Sequence, residues 1–304
     1  MNKKIVSTIV KKCLGYKKGE YLLIVCDDKL RTLAKYFYKT AKSLNIKTVL
    51  IEMERRRMHG QEPPPAIASA LKDADLALLL TSMSLSHTMA RKQACVRFGT
   101  RIASLPGITR KILSRSILID YIALKKETSY FSKVLSKGKR IELSTKKGTH
   151  LVMSIEGRNG YPDNGLYVKK GSFGNLPAGE VCIAPQEGTT NGRLVVDGSA
   201  PLFGKLNRPV EIMIKDGYAE NLPFSKLKSL ARSLGRCVLN VAEIGIGLNP
   251  KAKVTGNTLE DEKAKKTAHI AFGNNKSFGG RVYCPCHLDF VFFDPVISVD
   301  GARI

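Results

Sequence analysis

Glu180, Glu243, His269, His287 and Asp289 are the residues of this chain whose types and surroundings could do chemistry together. Each lies in a short apolar segment punctuated by glycine or proline. The segments are Pro177-Ala-Gly-Glu180-Val-Cys-Ile-Ala-Pro185, Ala242-Glu243-Ile-Gly-Ile-Gly247, Ala268-His269-Ile-Ala-Phe-Gly273 and His287-Leu-Asp289-Phe-Val-Phe-Phe293. Burying an unpaired charge among strand residues is expensive, so each of these groups needs a partner. A divalent metal is one such partner. Three carboxylates and two imidazoles suit zinc, cobalt, manganese or iron, and they exceed what one tetrahedral site needs. The sharpest local signal is His287-x-Asp289: strand side chains alternate, so both face one way while Leu288 and Phe290 face the other. Any one of the five, taken alone, is more often a hydrogen-bonded structural group. The set gains weight because two of only five histidines fall beside the carboxylates, in the most apolar stretch of the chain.

The elements that must position these residues fall into two styles. The first half alternates strands and helices. Tyr21–Cys26 is an apolar run, and a helical pattern follows in Leu30, Leu33, Ala34, Phe37, Ala41 and Leu44, with Asp27 or Asp28 as N-cap. Residues 46–51, 75–81 and 101–104 read as further strands, with helices from near Pro65 and over 87–98. Such alternation predicts a doubly wound parallel sheet covered on both faces. No G-x-G-x-x-G or Walker pattern follows any of these strands, so nucleotide binding is unsupported. Ser82–Ser86 and His87 lie at a strand's carboxyl end, where open α/β sheets bind ligands; a serine-rich turn capping a helix explains them equally well. From about residue 138, Gly, Asn, Asp and Thr turns separate short strands, with one helix over 223–234. The expectation is a Rossmann-like α/β domain over 1–140, followed by a mixed, β-rich α+β metal-binding domain over 141–304.

Composition narrows the partners. Of 304 residues, 43% are hydrophobic, enough for sizeable cores. No stretch of 18 uninterrupted apolar residues indicates a membrane span. The start of the chain reads as an amphipathic helix rather than a signal segment, because Lys11 and Lys12 break its apolar run. Seven cysteines without framework spacing fit a reducing cytoplasm. Cys284-Pro-Cys286-His287 has one residue between its cysteines, and so meets neither the zinc-ribbon nor the haem-attachment pattern. Charge is uneven: residues 1–150 carry 31 Lys and Arg against 11 Asp and Glu, a net of +20. Residues 151–304 carry 19 against 15, a net of +4. A basic half can bind nucleic acid, but these lysines are scattered at helical spacing. Glu54-Arg-Arg-Arg57 is the one tight cluster.

Taken in order and spacing, the five-residue set resembles the aminopeptidase T/aminopeptidase S family of thermophilic metallopeptidases. Leu176-Pro-Ala-Gly-Glu180-Val181 matches its first glutamate strand, Glu243-Ile-Gly-Ile-Gly its second, His269-Ile-Ala-Phe-Gly273 its first histidine and His287-Leu-Asp289-Phe290 its closing motif. Ala184-Pro185, Glu187, Asn191-Gly192 and Asp197-Gly198 resemble the loop and hairpin after the first glutamate. The similarity covers roughly residues 170–301. Where the family carries a tyrosine after the first histidine, this chain has Lys276, with Phe278 and Tyr283 nearby. Its length is nearer to a related branch that includes the iron-dependent dihydroxypyridine dioxygenase of nicotinate breakdown.

The resemblance implies a metallo-aminopeptidase working as a homodimer on peptides, with two metals bridged by Glu243 and ligated by Glu180, His269, His287 and Asp289. Such a pair lowers the pKa of a bound water and polarises a carbonyl. Glu187 is the nearest unassigned carboxylate for a general base, and Lys276 or Tyr283 could stabilise an oxyanion. Two other readings stay open. One is a ring-cleaving dioxygenase with a single ferrous ion on His269, His287 and Asp289, for which Glu180 and Glu243 would be superfluous. The other is a non-enzymatic, basic nucleic-acid-binding protein with structural carboxylates.

Overall fold

Residues 2–220 and 222–304 are described by a computed structural model. The chain separates into two units that interleave along the sequence. One comprises Met1–Tyr121 with Gly165–Ala178, the other Ile122–Asn164 with Gly179–Ile304. Where the sequence suggested one boundary near 140, the chain passes between units at 121/122, 164/165 and 178/179.

The first unit is built on a five-stranded parallel sheet in the order Lys47–Glu52, Tyr21–Cys26, Leu76–Leu80, Arg101–Ser104, Phe173–Asn175. Its middle strand, Leu76–Leu80, is apolar and buried at every position because both faces are covered. Leu23, Val25, Ala77 and Leu79 pack with Ile67 and Leu71 of helix Pro65–Asp73. Leu22, Ile24, Leu76 and Leu78, pointing the other way, are equally buried. The last strand comes from the returning segment 165–178, which carries no strand-like hydrophobic pattern in sequence.

One expectation for this unit changes. Helix Arg31–Ser43 begins after Leu30, without a side-chain cap. Asp27 instead accepts hydrogen bonds from Leu30 N at 3.3 Å and from Ser82 N and Oγ, both at 2.6 Å. It therefore ties two strand ends together. The serine turn is absorbed into this network, with Ser86 Oγ 3.2 Å from Ser104 Oγ and 3.1 Å from Asn175 Oδ1.

The second unit holds two seven-stranded antiparallel sheets. One runs Tyr218–Ala219, Val210–Lys215, Asn191–Val196, His150–Ser154, Arg140–Ser144, Val296–Val299, Ala302–Arg303. The other runs Gly204–Lys205, Ser199–Ala200, His287–Phe293, Thr267–Gly273, Val241–Gly247, Glu180–Ile183, Tyr161–Asp163. Asp216-Gly217 forms a tight hairpin, with φ of 48° and 76°. Asp197-Gly198 does not. It carries the chain from one sheet to the other, and Asp197 Oδ1 accepts from Phe293 N at 3.0 Å. Asn191-Gly192 starts a strand, because Gly192, at φ 126°, lets the His150 carbonyl approach where a Cβ would stand 2.1 Å away.

Candidate metal centre

Register brings the five residues of the sequence set to one face of the second sheet. Glu180 pairs with Gly247, Gly245 with His269, Ala271 with Asp289 and Gly273 with His287. Every polar member therefore faces a glycine or alanine across the strand, and those small residues leave room for it. Gly245 is the tightest case: a Cβ there would stand 2.1 Å from His269 Cε1 and 2.2 Å from its Nε2. The opposite face is apolar. Ile244 lies opposite Ile183 and Ile270, and Phe272 meets Phe290 edge-to-face at 5.4 Å. This two-faced pattern makes the sheet a core wall on one side and a polar floor on the other.

Glu243 sits at the middle of the floor. Its Oε1 lies 3.3 Å from His269 Nε2 and its Oε2 3.2 Å from His287 Nε2. Asp289 Oδ1 is 3.3 Å from the same His287 nitrogen, and Glu180 Oε2 is 3.7 Å from His269 Nε2. Glu243 and His269 are almost fully buried, whereas the His287 side chain is 20% exposed, so the cluster opens at the His287 end. Charge interactions outweigh burial here. Burial works against a charged His269, yet Glu243, Glu180 and Asp289 raise it from 6.5 to about 9. His287 is lifted by Asp289 and Glu243 in the same way, against burial. Burial opposes the Glu243 carboxylate as well, and the two imidazoles hold it far below the ordinary range.

The donor set fits a divalent metal. Among the described residues, no group of three or more His, Cys, Asp or Glu side chains is arranged to hold a metal ion; the imidazole nitrogens stand against carboxylate oxygens instead. Ligand atoms held about 2.0–2.2 Å from one ion are themselves roughly 3–3.5 Å apart, close to the spacings found here, so small rotations would present them to an ion. Two further features match. His287 Nδ1 lies 2.9 Å from the Asn274 carbonyl, which can only accept, so Nδ1 carries a proton and Nε2 faces the cluster. Glu180 Oε2, 3.7 Å from His269 Nε2, is buried without a hydrogen-bond partner.

The sequence reading missed Lys263. Its ammonium is buried and bonded to Glu180 and, at 2.7 Å, to Glu262. Burial raises Glu180 to about 7 even though Lys263 pulls the other way. The three proposed catalytic groups stand apart from the cluster contacts. Glu187 accepts from Asn275 Nδ2 at 2.9 Å and Arg281 N at 2.7 Å and pairs with Arg158 at 2.5 Å. Lys276 is exposed, with its backbone N bonded to Asn274 Oδ1, and Tyr283 is 70% exposed. Phe278 was noted only as a neighbour, yet its ring centroid is 5.5 Å from that of His287. All seven cysteines are free thiols, with Cys284 and Cys286 Sγ 3.5 Å apart.

A parallel-sheet unit together with a β-rich unit bearing an imidazole–carboxylate floor defines an α/β protein whose donor set suits a divalent metal. The family model for 2,5-dihydroxypyridine 5,6-dioxygenase (NicX) matches residues 9–304, and the chain belongs to that family. Among solved structures, a 2,5-dihydroxypyridine dioxygenase from Pseudomonas putida KT2440 superposes with a TM-score of 0.83 at 18% identity, covering 99% of this chain and 94% of that one. Wild-type AmpT from Thermus thermophilus superposes with a TM-score of 0.69 at 16% identity, over 99% of this chain and 96% of that one. At such identities the likeness is one of fold. No curated protein matches. The family match corrects the aminopeptidase reading, and with it the classes hydrolase and protease: the family is one of dioxygenases, which are oxidoreductases. The resemblance to the peptidases holds for the fold.

Proposed function

We propose that this protein is a dioxygenase that opens a dihydroxylated pyridine ring, with one ferrous ion held by His269, His287 and Asp289. The observation that carries the reading is that His269 and His287 meet across Glu243, with Asp289 3.3 Å from His287, in a chain of the dihydroxypyridine dioxygenase family. Such a set leaves several positions of the ion open, and ferrous iron there supplies the one-electron chemistry that dioxygen needs to react with a closed-shell ring. The protein's own groups do the rest. Asn274 O fixes the His287 tautomer, and Glu243 orients both imidazoles while balancing charge. Phe278, beside His287 at the open end, offers a flat apolar surface for a planar substrate.

Protein purified without oxygen, loaded with ferrous ion and given 2,5-dihydroxypyridine under ¹⁸O₂ tests this. The ring absorbance should disappear and the product should carry both heavy oxygen atoms, while His287→Ala should be inactive yet folded. Recovery of the pyridine intact would sink the reading.

A further inference from the structure

The Lys263 ammonium is a buried charged group of the second unit that the proposed reaction leaves without a role. It is 1% exposed and lies against Glu180, Glu262 at 2.7 Å and Asp163 at 3.9 Å. Its backbone is pinned on both sides: Lys263 N donates to Glu260 O at 3.0 Å, and Asn249 N donates to Lys263 O at 2.8 Å. A buried ammonium is tolerated only where carboxylates surround it, so this position is built for a cation. Glu180 links that position to the imidazoles. One of its oxygens takes the ammonium, and the other lies 3.7 Å from His269 Nε2. A carboxylate between two positive centres is the arrangement of a bridging ligand, with one of the centres already supplied by the chain.

We propose that Lys263 is a built-in cation that takes the place of a second metal ion, so that the cluster accepts one divalent ion. Glu180 then serves Lys263 and is not a ligand, which accounts for a carboxylate that the three-residue metal set does not use. A single ion cannot both activate a water and hold an amine in the way a metal pair can, so the same lysine closes off the dinuclear hydrolytic chemistry that the five-residue set suggested. The inference rests on the ring-cleavage reading only for the choice of His269, His287 and Asp289 as ligands.

The test counts ions. Metal-free full-length protein is dialysed to equilibrium against Mn²⁺ and, separately, Zn²⁺, and bound metal per chain is measured by elemental analysis. Wild type should saturate at one ion. Lys263→Met removes the charge while keeping an unbranched stem, and should raise the count to two through the freed Glu180 and Glu262. Glu180→Gln, which leaves Lys263 its other carboxylates, should weaken the first ion by less than about tenfold, below the loss typical of a ligand or its support. Two ions on wild type, one ion on a folded Lys263→Met, or a loss of about tenfold or more in Glu180→Gln would each overturn the proposal. If Lys263→Met does not fold, the wild-type count and the Gln variant decide. A protein that binds one ion and leaves dihydroxypyridine intact keeps this inference and loses the ring-cleavage reading; one that binds two and opens the ring does the reverse.

Discussion

At Gly245 one added carbon would collide with the site itself. A Cβ would stand 2.1 Å from His269 Cε1, so the imidazole must move and leave Glu243. Forcing that volume in costs roughly 1–3 kcal/mol, and a displaced ligand of this kind lowers turnover by about a hundredfold. Gly245→Ala should therefore stay folded by circular dichroism, melt at a lower temperature and lose ring cleavage. Wild-type turnover in that variant would remove His269 from the machinery. The same imidazole sets a pH dependence. In the folded metal-free protein His269 holds its proton to about 9, against the ordinary 6.5 of an unfolded chain. The stabilisation is thus complete below about pH 6.5 and is lost as pH rises toward 9. Melting temperatures of chelator-treated protein should fall across that window, while ion affinity should rise, because binding must displace the proton. A flat melting profile from pH 6.5 to 9 would show that the proton is not held there.

Among the elements, the four strands Glu180–Ile183, Val241–Gly247, Thr267–Gly273 and His287–Phe293 explain both what the sequence revealed and what it hid. Period-two alternation of polar and apolar residues is a local property, so the order of residues alone puts His287 and Asp289 on a shared face. The pairing of Gly245 with His269 and Gly273 with His287 completes that logic, since strands with small residues opposite large polar ones can align only in a register that houses them. Lys263 was hidden for the converse reason. Glu260-Asp-Glu-Lys263 reads as a solvated charged turn, and its burial is a tertiary event that no local pattern records. The strand Phe173–Asn175 was hidden likewise, because its pairing with Arg101–Ser104 depends on a chain return. The apolar face of the site sheet carries its own prediction. Phe290 is fully buried against Phe272, and Phe290→Ala should lose about 3–5 kcal/mol in chemical denaturation. A loss below about 1 kcal/mol would mean that this face is not the wall on which the polar floor rests.

For the whole molecule the open question is what a net charge of +24 is for. No helix among the described residues is long and apolar enough to cross a membrane. We propose that the charge is a solvated surface and not a nucleic-acid grip. In helix Arg31–Ser43 the buried positions are Leu33, Ala34, Phe37, Thr40 and Ala41, which leaves Lys35, Lys39 and Lys42 on the exposed side. The tight cluster is partly spent internally: Arg55 pairs with Asp28 at 2.5 Å and Arg56 with Glu54 at 3.5 Å. A phosphate-gripping surface would leave such guanidinium groups free to replace counterions along a strand. The homodimer implied by the family resemblance is a separate proposal, and light scattering at micromolar concentration checks it, with a monomer removing it. For nucleic acid the measurement is fluorescence anisotropy with a labelled duplex and a labelled single strand, at roughly 50 and 200 mM salt. Scattered lysines give weak binding at the lower salt that vanishes at the higher. Binding that persists at roughly 200 mM with a dissociation constant well under a micromolar value would instead assign the basic half a nucleic-acid partner.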